Sequence, residues 1–199
     1  VVESLPVSEA IKTQGPEMQA HITAYKASLE ALAAANITTI CYNFMPILDW
    51  TRTDLRAKQP HGGAAMRFDL IDFAVFDLHI LQREEGVESY SEAQRAAAAE
   101  RFNALSDHRK KQLQRNIIAG LPGANDSWSL GDVRALLDSY KGITRAQLRS
   151  HLIDFLSEVA PCAEALGLRL CCHPDAPPFS LLGLPRVMSS SADYSVVLN

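Results

Sequence analysis

The segment from Pro16 to Ala35 constrains this chain most: Met18, Ile22, Tyr25, Leu29 and Leu32 recur at alternating spacings of four and three, the repeat of one helical face. Pro16 suits the first helical turn, where its missing N–H is not needed, and Asn36 suits the left-handed residue that stops a helix. Val1-Val2-Glu3-Ser4 before it reads as the end of a strand. The run Ile37-Thr-Thr-Ile-Cys-Tyr-Asn-Phe44 after it is β-branched and aromatic, as a buried strand requires. An apolar helical stripe between two strands must be buried against the sheet those strands form, so the chain opens with a βαβ unit.

The order of the remaining segments extends that pattern. From Met45 to about Phe68 the sequence loses its period, contains Pro46, Pro60 and the pair Gly62-Gly63, and is expected to form a long loop. Loops longer than about 12–15 residues in compact domains are usually functional or disordered, and Phe44 and Trp50 argue for the first. A helix is expected from Phe68 to about Gln82. Ser91-x-x-Gln94, Ser106, Ser129-x-x-Asp132 and Thr144-x-x-Gln147 mark four further helix starts, and the tripeptide Leu121-Pro-Gly123 marks a break. On the last helix Leu148, Leu152, Phe155, Leu156, Val159, Ala163 and Leu166 form an apolar stripe interrupted at Pro161, which is expected to kink it. Gly167 closes that helix, and Leu168 to His173 is expected to be a short buried strand. Tyr194 to Leu198 is a candidate for one more strand.

The chain is therefore α/β, with parallel strands joined by helical crossovers. Periodicity does not choose between an open sheet and a barrel. Three clear strands and a fourth candidate are fewer than the eight of a (β/α)8 barrel, which takes about 250 residues in the usual case, whereas this chain has 199.

Composition excludes several classes. A hydrophobic fraction of 47% supports a sizeable core, and no apolar run approaches the ~18 residues of a membrane span. A net charge of −4, with no basic cluster beyond Arg109-Lys110-Lys111, leaves no surface for tracking a nucleic-acid backbone. Cys41, Cys162, Cys171 and Cys172 form no C-x-x-C pair and read as reduced, packed thiols, and no signal peptide precedes them, so a cytoplasmic location is expected.

Sites in α/β proteins lie at strand ends, which singles out Glu3-Ser4, Asn43 with the loop to Arg52, and His173-Pro174-Asp175. His173 is a neutral imidazole at a strand terminus, which suits a divalent metal. No H-x-H or H-x-x-x-H companion accompanies it, and the residues alone favour a structural, hydrogen-bonded histidine. The run from Asp49 to Asp54 packs two carboxylates, two hydroxyls, a guanidinium and an indole into six residues. Arg52 suits a substrate carboxylate, Asp49 suits sugar hydroxyls and Trp50 suits an apolar sugar face. The competing reading is a solvated loop whose charges pair with each other. Asn43 offers a donor and an acceptor at a strand end, or is simply a turn residue. Cys41 faces the same side as Asn43 and reads as packing. Glu3 is a possible acid or base, or one half of a structural salt bridge.

The segments Val1-Val-Glu-Ser4, Cys41 to Leu55 (CYNFMPILDWTRTDL), Arg115 to Gly123 (RNIIAGLPG) and Cys171 to Arg186 (CCHPDAPPFSLLGLPR) resemble the mannonate dehydratases, in the order that family has them. The resemblance runs over essentially the whole chain. It implies a (β/α)8 TIM barrel of the xylose isomerase type, of which residues 1–199 would be one partial barrel domain, with a helical insertion at approximately 67–140. It also implies Mn²⁺ or Fe²⁺ as cofactor, D-mannonate as substrate, dehydration to 2-keto-3-deoxy-D-gluconate in hexuronate catabolism, and a homo-oligomer.

Carried over residue by residue, the resemblance makes His173 of the HPD motif a metal ligand; Asn43, Asp49, Trp50 and Arg52 remain the substrate-binding candidates that their own chemistry suggests. The family's other ligands (a cysteine, a second histidine and an aspartate) and its principal acid/base residues have no matching position before Asn199. An internal fragment of a family member is therefore expected, inactive by itself. Ala176 departs from the family pattern, which commonly has a second aspartate there, and this is expected to weaken rather than remove the metal site. Two other readings stand beside this one: a truncated, inactive remnant, and another xylose-isomerase-like sugar isomerase or epimerase.

Overall fold

The computed structural model describes residues 1–118 and 129–198. The elements run β1 (Val2–Pro6), α1 (Glu9–Lys12), α2 (Met18–Ala34), β2 (Thr39–Asn43), β3 (Asp54–Lys58), β4 (Ala64–Arg67) and α3 (Leu70–Val75). A π-helical turn (Phe76–Leu81) and a 3₁₀ turn (Glu84–Ser89) follow. Then come α4 (Glu92–Ala104), α5 (Asp107–Ile118), α6 (Leu130–Ser139), α7 (Arg145–Ala165), β5 (Arg169–Cys172) and α8 (Ser191–Leu198). The Leu121-Pro-Gly123 break, and with it the end of the Arg115 to Gly123 segment, lies outside the described residues.

The chain divides into two compact units, the first comprising Val1–Ile47, Ser139–Phe179 and Pro185–Asn199, the second Leu48–Asp138 and Ser180–Leu184. In the first unit β1, β2 and β5 form a parallel sheet in that order, with Ile40 opposite Val2 and Leu170, and Cys41 opposite Cys171. Ile40, Tyr42 and Phe44 alternate onto one face of β2. The rings of Tyr42 and Phe44 lie 5.9 and 6.0 Å from that of Phe155, so this face packs against α7. Leu148, Leu152, Phe155, Val159 and Ala163 of the α7 stripe are buried, as are Ile22, Tyr25 and Leu29 of α2, and Tyr25 meets Phe155 edge-on. Leu156 and Leu166 are only half-buried at the margin of the stripe.

Local signals explain most helix ends. Ser91 with Gln94 and Thr144 with Gln147 form complete capping boxes. Asn36 has φ 60° and Gly167 φ 68°, the left-handed stops that end α2 and α7. The second helical turn of the Phe68–Gln82 region widens to π geometry and ends on Gln82 at φ 55°.

Four expectations are corrected. Residues 45–68 are not one irregular loop: β3 and β4 pair antiparallel, closed by a turn in which Gln59 N donates to Gly63 O and Gly62 N to Gln59 O. Gly62, at φ 87°, supplies the conformation that the turn needs. Tyr194 to Leu198 is helical, not a strand, because Ser190 and Asp193 cap α8 reciprocally, Asp193 N donating to Ser190 Oγ and Ser190 N to Asp193 Oδ2. The strand after Gly167 is only half-buried, since β5 pairs with β2 on one side and has no second partner strand among the described residues. For the same reason Cys171 is exposed rather than packed.

Candidate functional site

Strand alternation defines the candidate site in the first unit. Because Ile40 and Tyr42 face α7, Cys41 and Asn43 face the other way, and the register carries this parity to Cys171 on β5, with His173 two residues further on. The β1 register is irregular between Val2 and Leu5, and Glu3 joins them through its side chain, which reaches His173. One face of the sheet thus gathers Glu3, Asn43 and His173 toward the carboxyl ends of its strands, with Cys41 and Cys171 beside them.

His173 continues the ladder through its amide, which donates to Tyr42 O at 2.9 Å. Its ring is oriented by a 2.7 Å contact between Nδ1 and Pro174 O. A carbonyl oxygen can only accept, so this contact requires a proton on Nδ1 and leaves Nε2 as the ring nitrogen that could meet a metal. That nitrogen lies 3.8 Å from Glu3 Oε1, with the two side chains 21% and 50% exposed. The two groups form an ion pair if the ring is protonated, and a divalent cation between them would serve the same carboxylate. A nitrogen and a carboxylate oxygen fit part of the shell of a first-row divalent ion. Among the described residues no group of three or more His, Cys, Asp or Glu side chains comes together to complete one.

The rest of the HPD turn is structural. Asp175, 6% exposed, accepts from Met188 N at 2.7 Å and Ser189 Oγ at 2.8 Å. Ala176 N approaches Met45 Sδ at 3.2 Å, tying the turn to the segment that leaves β2. Burial pushes the neighbouring half-buried Cys172 thiol up to about 12, with the Asp175 charge adding to it, so this cysteine stays protonated.

Asn43, at the end of β2, is buried and donates from Nδ2 to Ser4 Oγ at 3.0 Å, bridging the ends of β1 and β2. A buried polar cluster holds the chain just beyond it. Lys12 is 1% exposed, and its Nζ donates to Glu9 Oε1 at 2.7 Å and to Met45 O at 2.9 Å. Ile47 N and the Tyr140 hydroxyl both donate to Glu9 Oε2. Burial, then the Glu9 charge, drives the Tyr140 phenol far above its ordinary value. Sequence reasoning missed this cluster; the Glu9-x-x-Lys12 spacing was its only local trace, because Met45 and Tyr140 join it through the fold.

Asp49, Trp50 and Arg52 belong to the second unit. Trp50, 38% exposed and at φ 48°, lies beneath the Arg52 guanidinium, whose Cζ is 5.8 Å from the ring centroid. Arg52 Nη1 also donates to Thr51 O at 2.8 Å. The stack presents one cation and one aromatic face together, and Asp49 is half-buried beside it in sequence. Thr53 is a structural residue of the run: its Oγ1 donates to Arg67 O and accepts from Asp69 N, closing the base of the β3–β4 hairpin.

Over residues 1–199 the chain matches the family described as D-mannonate dehydratase (UxuA). The chain belongs to that family. It is 52% identical over 198 residues to the mannonate dehydratase of Rhizobium meliloti (strain 1021), covering 100% of this chain and 49% of that protein. Mannonate dehydratase 1 of Agrobacterium fabrum is likewise 52% identical over 199 residues, with 50% of its own length covered. The crystal structure of mannonate dehydratase from Streptococcus suis serotype 2 superposes with a TM-score of 0.63 at 26% identity, covering 98% of this chain and 42% of that one. The chain spans about half the length of the curated mannonate dehydratases it matches. The fold shared with that structure is mixed α/β, with a small parallel sheet.

Proposed function

We propose that this chain forms part of a mannonate dehydratase, a hydro-lyase that converts D-mannonate to 2-keto-3-deoxy-D-gluconate with loss of water in hexuronate catabolism. The observation that carries the reading is the family match over the full 199 residues, supported by 52% identity to curated members. The parallel strands β1, β2 and β5 lie side by side in chain order, joined by helical crossovers, and support a (β/α)8 barrel to which these residues contribute some of the strands. On that reading residues of approximately 67–140 are a helical insertion. The working protein is a homo-oligomer in the cytoplasm, where the four cysteines, none of them in a disulfide, remain thiols.

The reaction has a definite electrostatic demand. The proton next to a carboxylate is too weakly acidic to leave unaided, and bound Mn²⁺ or Fe²⁺ supplies positive charge to stabilise what its departure leaves behind. In this chain His173 would hold the ion through Nε2, Nδ1 being engaged by Pro174 O. Asn43, at the end of β2, would hydrogen-bond a substrate hydroxyl. Arg52 stacked on Trp50 offers a cation for a carboxylate and an aromatic surface for a sugar face, and Asp49 accepts from sugar hydroxyls. The general acid and base come from residues beyond these 199.

Turnover of D-mannonate with added Mn²⁺, read as formation of the 2-keto-3-deoxy acid, tests the reading. The natural gene product that carries this chain is expected to be active, and its His173→Ala variant to lose both Mn²⁺ binding and turnover. Conversion of an aldose to a ketose without loss of water would instead assign it to the sugar isomerases.

A further inference from the structure

Glu3 stands on the same sheet face as His173, and the two side chains meet across the end of the sheet. Their separation of 3.8 Å is informative. It exceeds the roughly 2.7–3.2 Å of an N–H···O hydrogen bond, so the carboxylate is not directly bonded to the ring. It is slightly shorter than two metal–ligand bonds of roughly 2.0–2.2 Å laid end to end, so an ion slightly off the line between Nε2 and Oε1 would contact both.

The nearby alternatives are otherwise engaged. Asp175 is committed to Met188 N and Ser189 Oγ, and position 176 is alanine, with no carboxylate to offer. The ring cannot turn Nδ1 toward a metal without giving up its 2.7 Å bond to Pro174 O. Nε2 is therefore the nitrogen left for a metal, and it is the one nearest Glu3. A hard carboxylate oxygen beside an imidazole nitrogen suits Mn²⁺ or Fe²⁺ better than a thiol-loving ion.

We propose that Glu3 is a protein ligand in its own right, giving a carboxylate oxygen to the divalent cation that His173 holds through Nε2. The inference rests on the proposed metal role of His173 and adds to it a residue from β1.

The test uses the natural gene product carrying this chain, stripped of metal with a chelator and titrated with Mn²⁺ while the free-ion electron paramagnetic resonance signal is followed. Glu3→Ala is expected to weaken Mn²⁺ binding at least tenfold, with Glu3→Gln, nearly isosteric, in between. With Co²⁺ in place of Mn²⁺, the visible absorption band is expected to shift in both variants, which loss of a remote charge would not produce. If Glu3→Ala misfolds, as judged by circular dichroism of the metal-free protein, Glu3→Gln decides. Affinities within twofold of the parent and an unshifted Co²⁺ band would overturn the role of Glu3 while leaving that of His173 intact. Undiminished Mn²⁺ binding by His173→Ala would instead remove the metal reading of His173, and the Glu3 inference with it.

Discussion

Asp175 and Met188 clasp each other through reciprocal bonds: the Asp175 carboxylate accepts from Met188 N at 2.7 Å, and Asp175 N donates to Met188 O at 3.1 Å. This pair anchors the turn that carries His173 to the segment following Pro185. The acidic residue of the HPD motif acts here as a strut for the histidine.

Replacing Asp175 by alanine leaves the buried Met188 amide without its acceptor, at a cost of about 1–3 kcal/mol. Urea unfolding of the 199-residue chain is expected to show a lower midpoint with an unchanged slope, the mark of lost stability without a change in exposed surface. Asp175→Asn, which keeps an acceptor oxygen, is expected to recover part of the loss.

In the second unit Asp77 is fully buried and Arg83 grips it in a fork, Nε to Oδ1 at 2.9 Å and Nη2 to Oδ2 at 2.7 Å. The Tyr90 hydroxyl adds a third bond at 3.0 Å. Arg83→Met would strand a buried charge and is expected to destabilise by about 3–5 kcal/mol. Tyr90→Phe removes one hydrogen bond of several and is expected to cost about 1 kcal/mol. Equal losses in the two variants would argue against the ion pair as the organising contact.

Asp193 ties α7 to α8. Burial by itself raises its carboxyl, but hydrogen bonds from Ser190, Arg149 and the Ser189 amide, with the Arg145 charge, outweigh it and hold the group below its ordinary 3.8. A depressed folded value stabilises above the unfolded value and loses that contribution as pH falls through the folded one. The gap in thermal midpoint between the parent and Asp193→Asn is therefore expected to be full at neutral pH and to close as pH drops below about 4. A gap that persists at pH 2 would contradict the assignment.

Thiol reactivity should divide along β5. Cys171 is exposed, Cys41 is buried, and burial holds the Cys172 thiol up to about 12. Iodoacetamide at pH 8 is expected to modify Cys171 well before its neighbour in the 199-residue chain, as peptide mass mapping would show. Equal labelling of the adjacent pair would contradict the burial of Cys172.

Arg52→Lys in the complete enzyme keeps the charge but removes the planar fork and weakens the stack on Trp50. A raised KM for D-mannonate with kcat little changed is expected if the guanidinium binds the substrate carboxylate; an unchanged KM would leave Arg52 a structural partner of Trp50.

Signals local to the chain were legible in the residues. The helical stripe of α2, the capping boxes at Ser91 and Thr144, and the stops at Asn36 and Gly167 each depend on neighbours a few positions apart, so spacing determined them. The strand-end location of His173 followed from the same kind of evidence, and its metal role came only by resemblance. The β3–β4 hairpin was hidden because its strands expose both faces and show no apolar alternation, while α8 was mistaken for a strand because Val196 and Val197 outweighed the Ser190–Asp193 cap. The tertiary structure decided what depends on distant partners. It directed Nε2 of His173 toward Glu3, set Asp175 on Met188, and brought Glu9, Lys12 and Tyr140 together behind the end of β2. Those contacts join residues separated by up to 170 positions in the sequence. Such pairings are set by strand register and by what must be buried, quantities that no local spacing encodes.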